Sequence, residues 1–154
     1  AYAQALYLFQ APVNLIVVTG RNKATLRRLE SMKAKVLSRT RLAPLGYVSN
    51  MNELMAASDV VVGKAGASTA MEAAFMSKPF IFTEWATYND RFIINFALNY
   101  HVGWYCPTVF AFSQVVRKIV DTDVLAKYRS NLENLSVEPG TDEVADYLLK
   151  EAGA

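Results

Sequence analysis

A single cysteine, Cys106, and a single histidine, His101, occur in 154 residues. No disulfide can close within the chain, and a cytosolic address is the default that follows. One His and one Cys cannot make a zinc site, and no Asp/Glu cluster offers an alternative, so no metal is expected. A Ser–His–Asp relay would need His101, yet no Gly-x-Ser-x-Gly elbow accompanies it. His101 therefore reads as structural. No apolar run is long enough to span a bilayer. The uncharged first 20 residues are broken by Gln4, Gln10, Pro12 and Asn14, and they carry neither a basic leader nor a small-residue cleavage motif. The chain opens without a methionine, as expected of a fragment.

Strong charge of one sign is also lacking. The net charge is +2, too small to announce a nucleic-acid binder, so no nucleic-acid partner is expected. The positive charge is nonetheless uneven. Arg21, Lys23, Arg27, Arg28, Lys33, Lys35, Arg39 and Arg41 fall in one stretch opposed only by Glu30. We read it as a solvated helix face, with a patch for anionic lipid as the rival.

What is present is apolar content: 53% of residues, against 19% charged. That suits one well-filled domain spanning 1–154 and excludes a disordered chain. Ala3, Leu6, Tyr7 and Gln10 follow helical spacing up to Ala11–Pro12. Val13 to Thr19 is an apolar, β-branched run stopped by Gly20, as expected of a strand buried on both faces. Leu26 and Leu29, with Arg and Lys between, mark an amphipathic helix. Leu42 to Val48 reads as a short strand despite Pro44 and Gly46. Asn50 with Glu53 reads as a capping box. Strands follow at Val60–Val62, Pro79–Thr83 and Val102–Tyr105, with helices at Ala67–Met76 and from Asp90, and Ser113 and Thr141 as caps of closing helices.

Alternating strands and helices predict an α/β fold, a Rossmann-like parallel sheet flanked by helices. Ligands of such sheets sit at the carboxyl ends of the strands. Four loops qualify, after Thr19, Val48, Val62 and Thr83. The third is the most informative. Asp59-Val-Val-Val-Gly63-Lys64-Ala65-Gly66-Ala67-Ser68-Thr69-Ala70-Met71-Glu72 runs from a strand through small residues into a helix. Free amides at such a helix start carry partial positive charge and welcome a phosphate. Ser68 and Thr69 add hydroxyls, and Glu72 one turn on can take both hydroxyls of a ribose. The plainer alternatives are a tight turn at Gly66–Ala67 and a first-turn acid at Glu72 that suits the dipole. No Gly-x-Gly-x-x-Gly and no Walker lysine are present, which disfavours a dehydrogenase or a P-loop ATPase.

Leu45-Gly-Tyr-Val-Ser-Asn-Met-Asn-Glu-Leu-Met55 and Ala57 through Ala73 together resemble the C-terminal domain of glycosyltransferase family 28. That family includes monogalactosyldiacylglycerol synthases and the N-acetylglucosaminyltransferase of lipid II synthesis. Val17 to Asn22 and Val102 to Tyr105 are more similar to the diacylglycerol branch. The likeness covers roughly Val13 to Pro107. It implies the C-terminal half of a GT-B fold, with the acceptor domain, the first strand and the glycine-rich turn lying ahead of Ala1. It also implies a UDP-sugar donor and an inverting, metal-independent transfer of a hexose to a lipid such as diacylglycerol, peripheral to a membrane. By matching position, Val48 with Met51 would hold the uracil. Gly66, Ala67, Ser68 and Thr69 would hold the diphosphate and Glu72 the ribose, with Gly20 and Asn22 lining the cleft. The family's sugar-reading glutamine is absent, and Asn89, Asp90 or Arg91 stands in its place, with helix capping as the competing role for Asp90. That leaves the donor sugar open. The catalytic base would lie in the acceptor domain, so this chain alone is expected to bind donor without turning it over. A non-catalytic UDP-sugar-binding subunit of a split glycosyltransferase, and a sugar-nucleotide epimerase, are the alternative readings.

Overall fold

The computed structural model describes residues 1–35, 38–135, 137 and 140–152. Its elements alternate as the apolar runs predict. Helix α1 (Tyr2–Leu8) leads into β1 (Asn14–Val18), α2 (Lys23–Lys35) and β2 (Arg41–Leu45). Then come α3 (Met51–Ala56), β3 (Val61–Lys64), α4 (Ala67–Phe75), β4 (Phe80–Glu84), α5 (Asp90–Asn99) and β5 (Gly103–Tyr105). Three helices close the chain, α6 (Val109–Asp121), α7 (Val124–Asn134) and α8 (Thr141–Glu151).

All strand pairs are parallel, but they form two sheets, β1 with β2 and β3-β4-β5 in that order. Among the described residues β1 and β3 each pair along one edge only. Leu15 and Val60 nevertheless pack against the same apolar cluster, built on Leu6, Ile81, Trp104, Cys106 and Phe112. Side chains, not ladder hydrogen bonds, join the two sheets among the described residues.

β4 is the strand buried on both faces. Phe80 and Phe82 turn to one side, onto Ala70 and Ala73 of α4 and Ile94 and Ala97 of α5, while Ile81 joins the cluster on the other. Period-two alternation in a strand covered by helices on both sides gives this split. Fully burying side chains of this size stabilises by about 2–3 kcal/mol each. The same expectation for Val13–Thr19 is not met. Leu15 and Val17 pack with Tyr7, Leu29 and Leu42 beneath α1 and α2, but Ile16 on the opposite side is 43% exposed. The helices α4 and α5 that cover that side of β4 do not extend over β1.

The helix caps also differ from expectation. Asn50 precedes α3 but its side chain caps no amide; Nδ2 instead donates to Glu53 Oε2 at 2.8 Å. Thr108, not Ser113, caps α6, with Oγ1 accepting from the Ala111 amide at 3.1 Å. Ser113 lies inside the helix and donates to the Val109 carbonyl at 2.8 Å. Thr141 is the first residue of α8, with Gly140 in the cap position. His101 keeps its structural reading. It sits at φ 53° just past α5, and its carbonyl accepts from Asn131 Nδ2 at 2.9 Å.

Candidate functional site: the carboxyl ends of the strands

Parallel strands place their following loops at one end, and every candidate residue lies there. Thr19 ties the first two loops together, its amide and its Oγ1 both donating to the Leu45 carbonyl, at 2.8 Å and 3.0 Å. Gly20 then turns the chain at φ 56°, a left-handed conformation that favours glycine. Asn22 has a structural duty the sequence reading missed. Its Oδ1 accepts the Thr25 amide at 2.9 Å, which makes it the N-cap of α2. Beyond β2, Val48 is half-buried and Met51 is 40% exposed at the start of α3.

α4 begins immediately after Gly66. The Ala70 amide bonds the Gly66 carbonyl at 3.0 Å, so the amides of Ala67, Ser68 and Thr69 precede the first helical bond and point out of the end. No side chain caps them, and no acid lies in the first turn. Glu72 is the sixth residue of the helix, which removes its reading as a first-turn acid. At positions i+4 and i+3 from Ser68 and Thr69 it shares their side of the helix, and all three are exposed. Gly66 itself has φ −90° and ψ 128°, a backbone open to any residue. A Cβ built there would meet nothing within 4 Å. Neither conformation nor packing among the described residues calls for glycine at this position.

The loop after β4 closes the other side. The Ala65 amide donates to the Glu84 carbonyl at 2.8 Å, and Thr83 Oγ1 donates to the Gly63 carbonyl at 3.3 Å. Asp90 Oδ2 accepts the amides of Thr87 at 2.9 Å and Ala86 at 2.8 Å. Those two bonds, Thr87 first, hold its carboxyl below the ordinary 3.8, with the charge of Lys64 assisting. Asp90 thus orders the turn ahead of α5, and Asn89 occupies the cap position. The Arg91 guanidinium lies over the rings of Trp85 and Tyr88, 5.7 Å and 5.8 Å from their centroids. Trp85 and Tyr88 are exposed and were not among the residues singled out from sequence.

The candidates therefore fall into two groups. Gly20, Asn22 and the Val48–Met51 segment flank the ends of β1 and β2. Gly66 to Glu72 and Asn89 to Arg91 flank those of β3 and β4. Packing of α3 on α4 connects the groups, and no hydrogen bond joins Gly20 or Asn22 to Asn89–Arg91 among the described residues. A shallow depression, open to solvent and bordered by Pro12, Asn14, Arg39 and Arg41, lies away from these residues, at the opposite ends of β1 and β2.

Comparison with known proteins gives the family. The sequence profile of the glycosyltransferase family 28 C-terminal domain matches residues 3–100. The chain is 24% identical over 148 residues to the processive diacylglycerol beta-glucosyltransferase of Bacillus subtilis (strain 168), covering 91% of this chain and 36% of that protein. It is 33% identical over 88 residues to a probable chloroplastic monogalactosyldiacylglycerol synthase of Nicotiana tabacum, covering 55% of this chain and 16% of that protein. The chain thus spans little more than a third of the Bacillus relative and less of the plant one. Its fold superposes on the crystal structure of Acinetobacter baumannii MurG with a TM-score of 0.79 and 16% identity, over 96% of this chain and 44% of that one. With most of its length inside the matched profile and its strands, loops and small-residue helix start in the expected order, the chain belongs to the glycosyltransferase family 28 C-terminal domain family.

Proposed function

We propose that this domain binds a UDP-sugar as the donor half of an inverting hexosyltransferase acting on a membrane lipid such as diacylglycerol. The observation that carries the reading is Gly66, a glycine that neither conformation nor packing among the described residues calls for, set against three outward amides. A diphosphate approaching the backbone supplies the reason, since a side chain would hold it off. Ala67, Ser68 and Thr69 then receive the phosphates, and Glu72 on the same side of α4 takes the ribose hydroxyls. Val48 and Met51 border the uracil, with Gly20 and Asn22 across the cleft. Asn89, Asp90 and Arg91 face the sugar. Charge developing on the departing UDP is stabilised by the helix-end amides, already oriented before reaction.

The names of the relatives support the lipid acceptor, and with it a protein that works peripherally at a membrane; the cytoplasmic address rests on the lone Cys106 alone, since the plant relatives are chloroplastic. The acceptor-binding part and its catalytic base are proposed to lie outside this chain, which alone binds donor and turns over little of it. Among the described residues β1 and β3 each keep one unpaired edge, which leaves room for a further strand of the same domain between them.

Calorimetry with UDP tests the site. Glu72→Ala removes two charge-assisted hydrogen bonds and should weaken binding on the order of a hundredfold, with the fold unchanged because Glu72 is exposed. UDP should also raise Tm more than UMP, which lacks the second phosphate. Unchanged affinity in Glu72→Ala, together with equal shifts by UDP and UMP, would falsify the placement.

A further inference from the structure

Away from the donor loops, the end of α1 leaves two consecutive apolar side chains in solvent, Leu8 at 58% and Phe9 at 69% exposure. The segment entering β2 is strapped to this same end. Ser38 Oγ donates to the Tyr7 carbonyl at 2.8 Å, and Thr40 Oγ1 donates to the carbonyls of Leu6 at 3.0 Å and Ala11 at 2.6 Å. Thr40 is buried, so in this extended stretch its neighbours Arg39 and Arg41 turn outward, and both are exposed. With Pro12, Asn14 and Ser38 they line a shallow depression open to solvent. Along α2, Arg27, Arg28 and Lys33 are exposed as well. None of these cations has an ion-pair partner among the described residues, where Arg129 with Asp59 is the pair found. Arg28 is held by Gln4 Oε1 at 3.0 Å, a neutral partner.

Solvated charge alone would be the ordinary condition of a helix face. Unbalanced cations beside a protruding Leu–Phe pair are a different combination. Reversible membrane docking draws on those two contributions together, shallow apolar insertion and attraction to anionic headgroups. Nucleic acid or an acidic protein would answer the charge and leave Leu8 and Phe9 unexplained.

We propose that the end of α1, the exposed side of α2 and the entry to β2 form a surface that docks on an anionic lipid bilayer, which rests on the membrane-lipid acceptor read above. The direction of α2 fits that role. Connecting two parallel strands, it runs back along them, and its first turn meets the Gly20–Asn22 loop at the donor end. A bilayer lying along α2 therefore reaches the cleft mouth, where Arg21 and Lys23 extend the positive charge and where a lipid acceptor has to arrive.

Vesicle flotation of the 154-residue chain provides the test, comparing phosphatidylcholine alone with phosphatidylcholine mixed with phosphatidylglycerol. Binding should be at least about tenfold tighter on the mixed vesicles and should weaken as salt shortens the screening length. Arg39→Glu with Arg41→Glu should cost on the order of tenfold, and Leu8→Ser with Phe9→Ser should remove the part that resists salt. UDP affinity, measured on each variant, serves as the folding control, and Arg27→Glu with Lys33→Glu replaces any variant that does not fold. Equal binding to both vesicles, no binding, or variants that bind like the parent chain each overturn the proposal. Retention on heparin without vesicle binding overturns it too, assigning the surface to an acidic macromolecule. A parent chain that binds the mixed vesicles and binds no UDP would sink the donor reading instead.

Discussion

The carboxylate of Asp90 accepts the Thr87 amide at 2.9 Å, so a side chain at the start of α5 holds the turn before it. Ala86 is held by the same oxygen, and the rings of Trp85 and Tyr88 lie 5.7 Å and 5.8 Å from the Arg91 guanidinium. Asp90→Ala should release this turn, seen as faster amide exchange at Ala86 and Thr87 with exchange in β4 unchanged. The pH dependence has a defined sign. Because the folded carboxyl titrates below the ordinary 3.8, its stabilising effect is full above that value and is lost as pH falls through the lowered one. Exchange at the two amides should therefore rise relative to β4 only in that acid window. A turn that opens equally in the parent chain and in Asp90→Ala would remove Asp90 as its organiser.

Cys106 sits in the cluster formed by Ile81, Trp104 and Phe112, and burial pushes its thiol from 9.0 to about 11. The thiolate is the reactive form. Near neutral pH its population should be about a hundredfold below that of an ordinary cysteine, before access is considered. A thiol reagent should label the native chain very slowly and label it rapidly in denaturant. The linkage runs opposite to that of Asp90. Stability from the buried neutral thiol is present below 9.0 and fades as pH rises toward about 11. Rapid stoichiometric labelling of folded protein would show that Cys106 is not enclosed.

Gly103, unlike Gly20 and Gly66, has no room for a Cβ. A Cβ there would lie 2.6 Å from the Phe80 carbonyl oxygen and 3.2 Å from Ala97 Cβ. β4 and α5 close on this point together, and backbone cannot swing aside as a side chain would. Gly103→Ala should destabilise by about 1–3 kcal/mol, the ordinary cost of overpacking. That lowers Tm by several degrees in a domain of this size. A Tm equal to that of the parent chain would mean β5 shifts outward at no cost.

The order of elements was legible because each strand is an apolar run ended by glycine, proline or a polar turn. The strand-to-helix loop proposed to hold the donor was legible for the same local reason. A strand, small residues and a helix start are contiguous in sequence from Val60 to Glu72. What escaped depends on contacts between distant segments. Val13–Thr19 and Pro79–Thr83 have similar compositions, yet helices cover both faces of β4 and one face of β1, and no local pattern distinguishes them. Ser113 and Thr108 are both acceptable caps by type; the choice fell to Thr108 because α6 starts at Val109 and leaves Ser113 a turn inside. The place of Arg91 over Trp85 and Tyr88 rests on the turn that Asp90 ties, a hydrogen bond with no sequence signature of its own.

Gly66 offers the sharpest separation of stability from binding. With φ −90°, ψ 128° and open space around its absent Cβ, Gly66→Val should fold normally. Its cost should not exceed about 1 kcal/mol, that of an apolar residue at an N-cap position, a few degrees in Tm at most. Binding should suffer far more. The valine side chain would occupy the space beside the Ala67, Ser68 and Thr69 amides that the diphosphate has to enter, and UDP affinity should fall by well over tenfold, as expected when several charge-assisted bonds are lengthened together. Gly103→Ala is the mirror image, losing stability while its folded fraction keeps UDP affinity. Measuring Tm and calorimetric affinity on both variants places each glycine by the quantity it changes. A Gly66→Val protein that unfolds early would make that glycine structural, and one that binds UDP normally would move the phosphates off the start of α4.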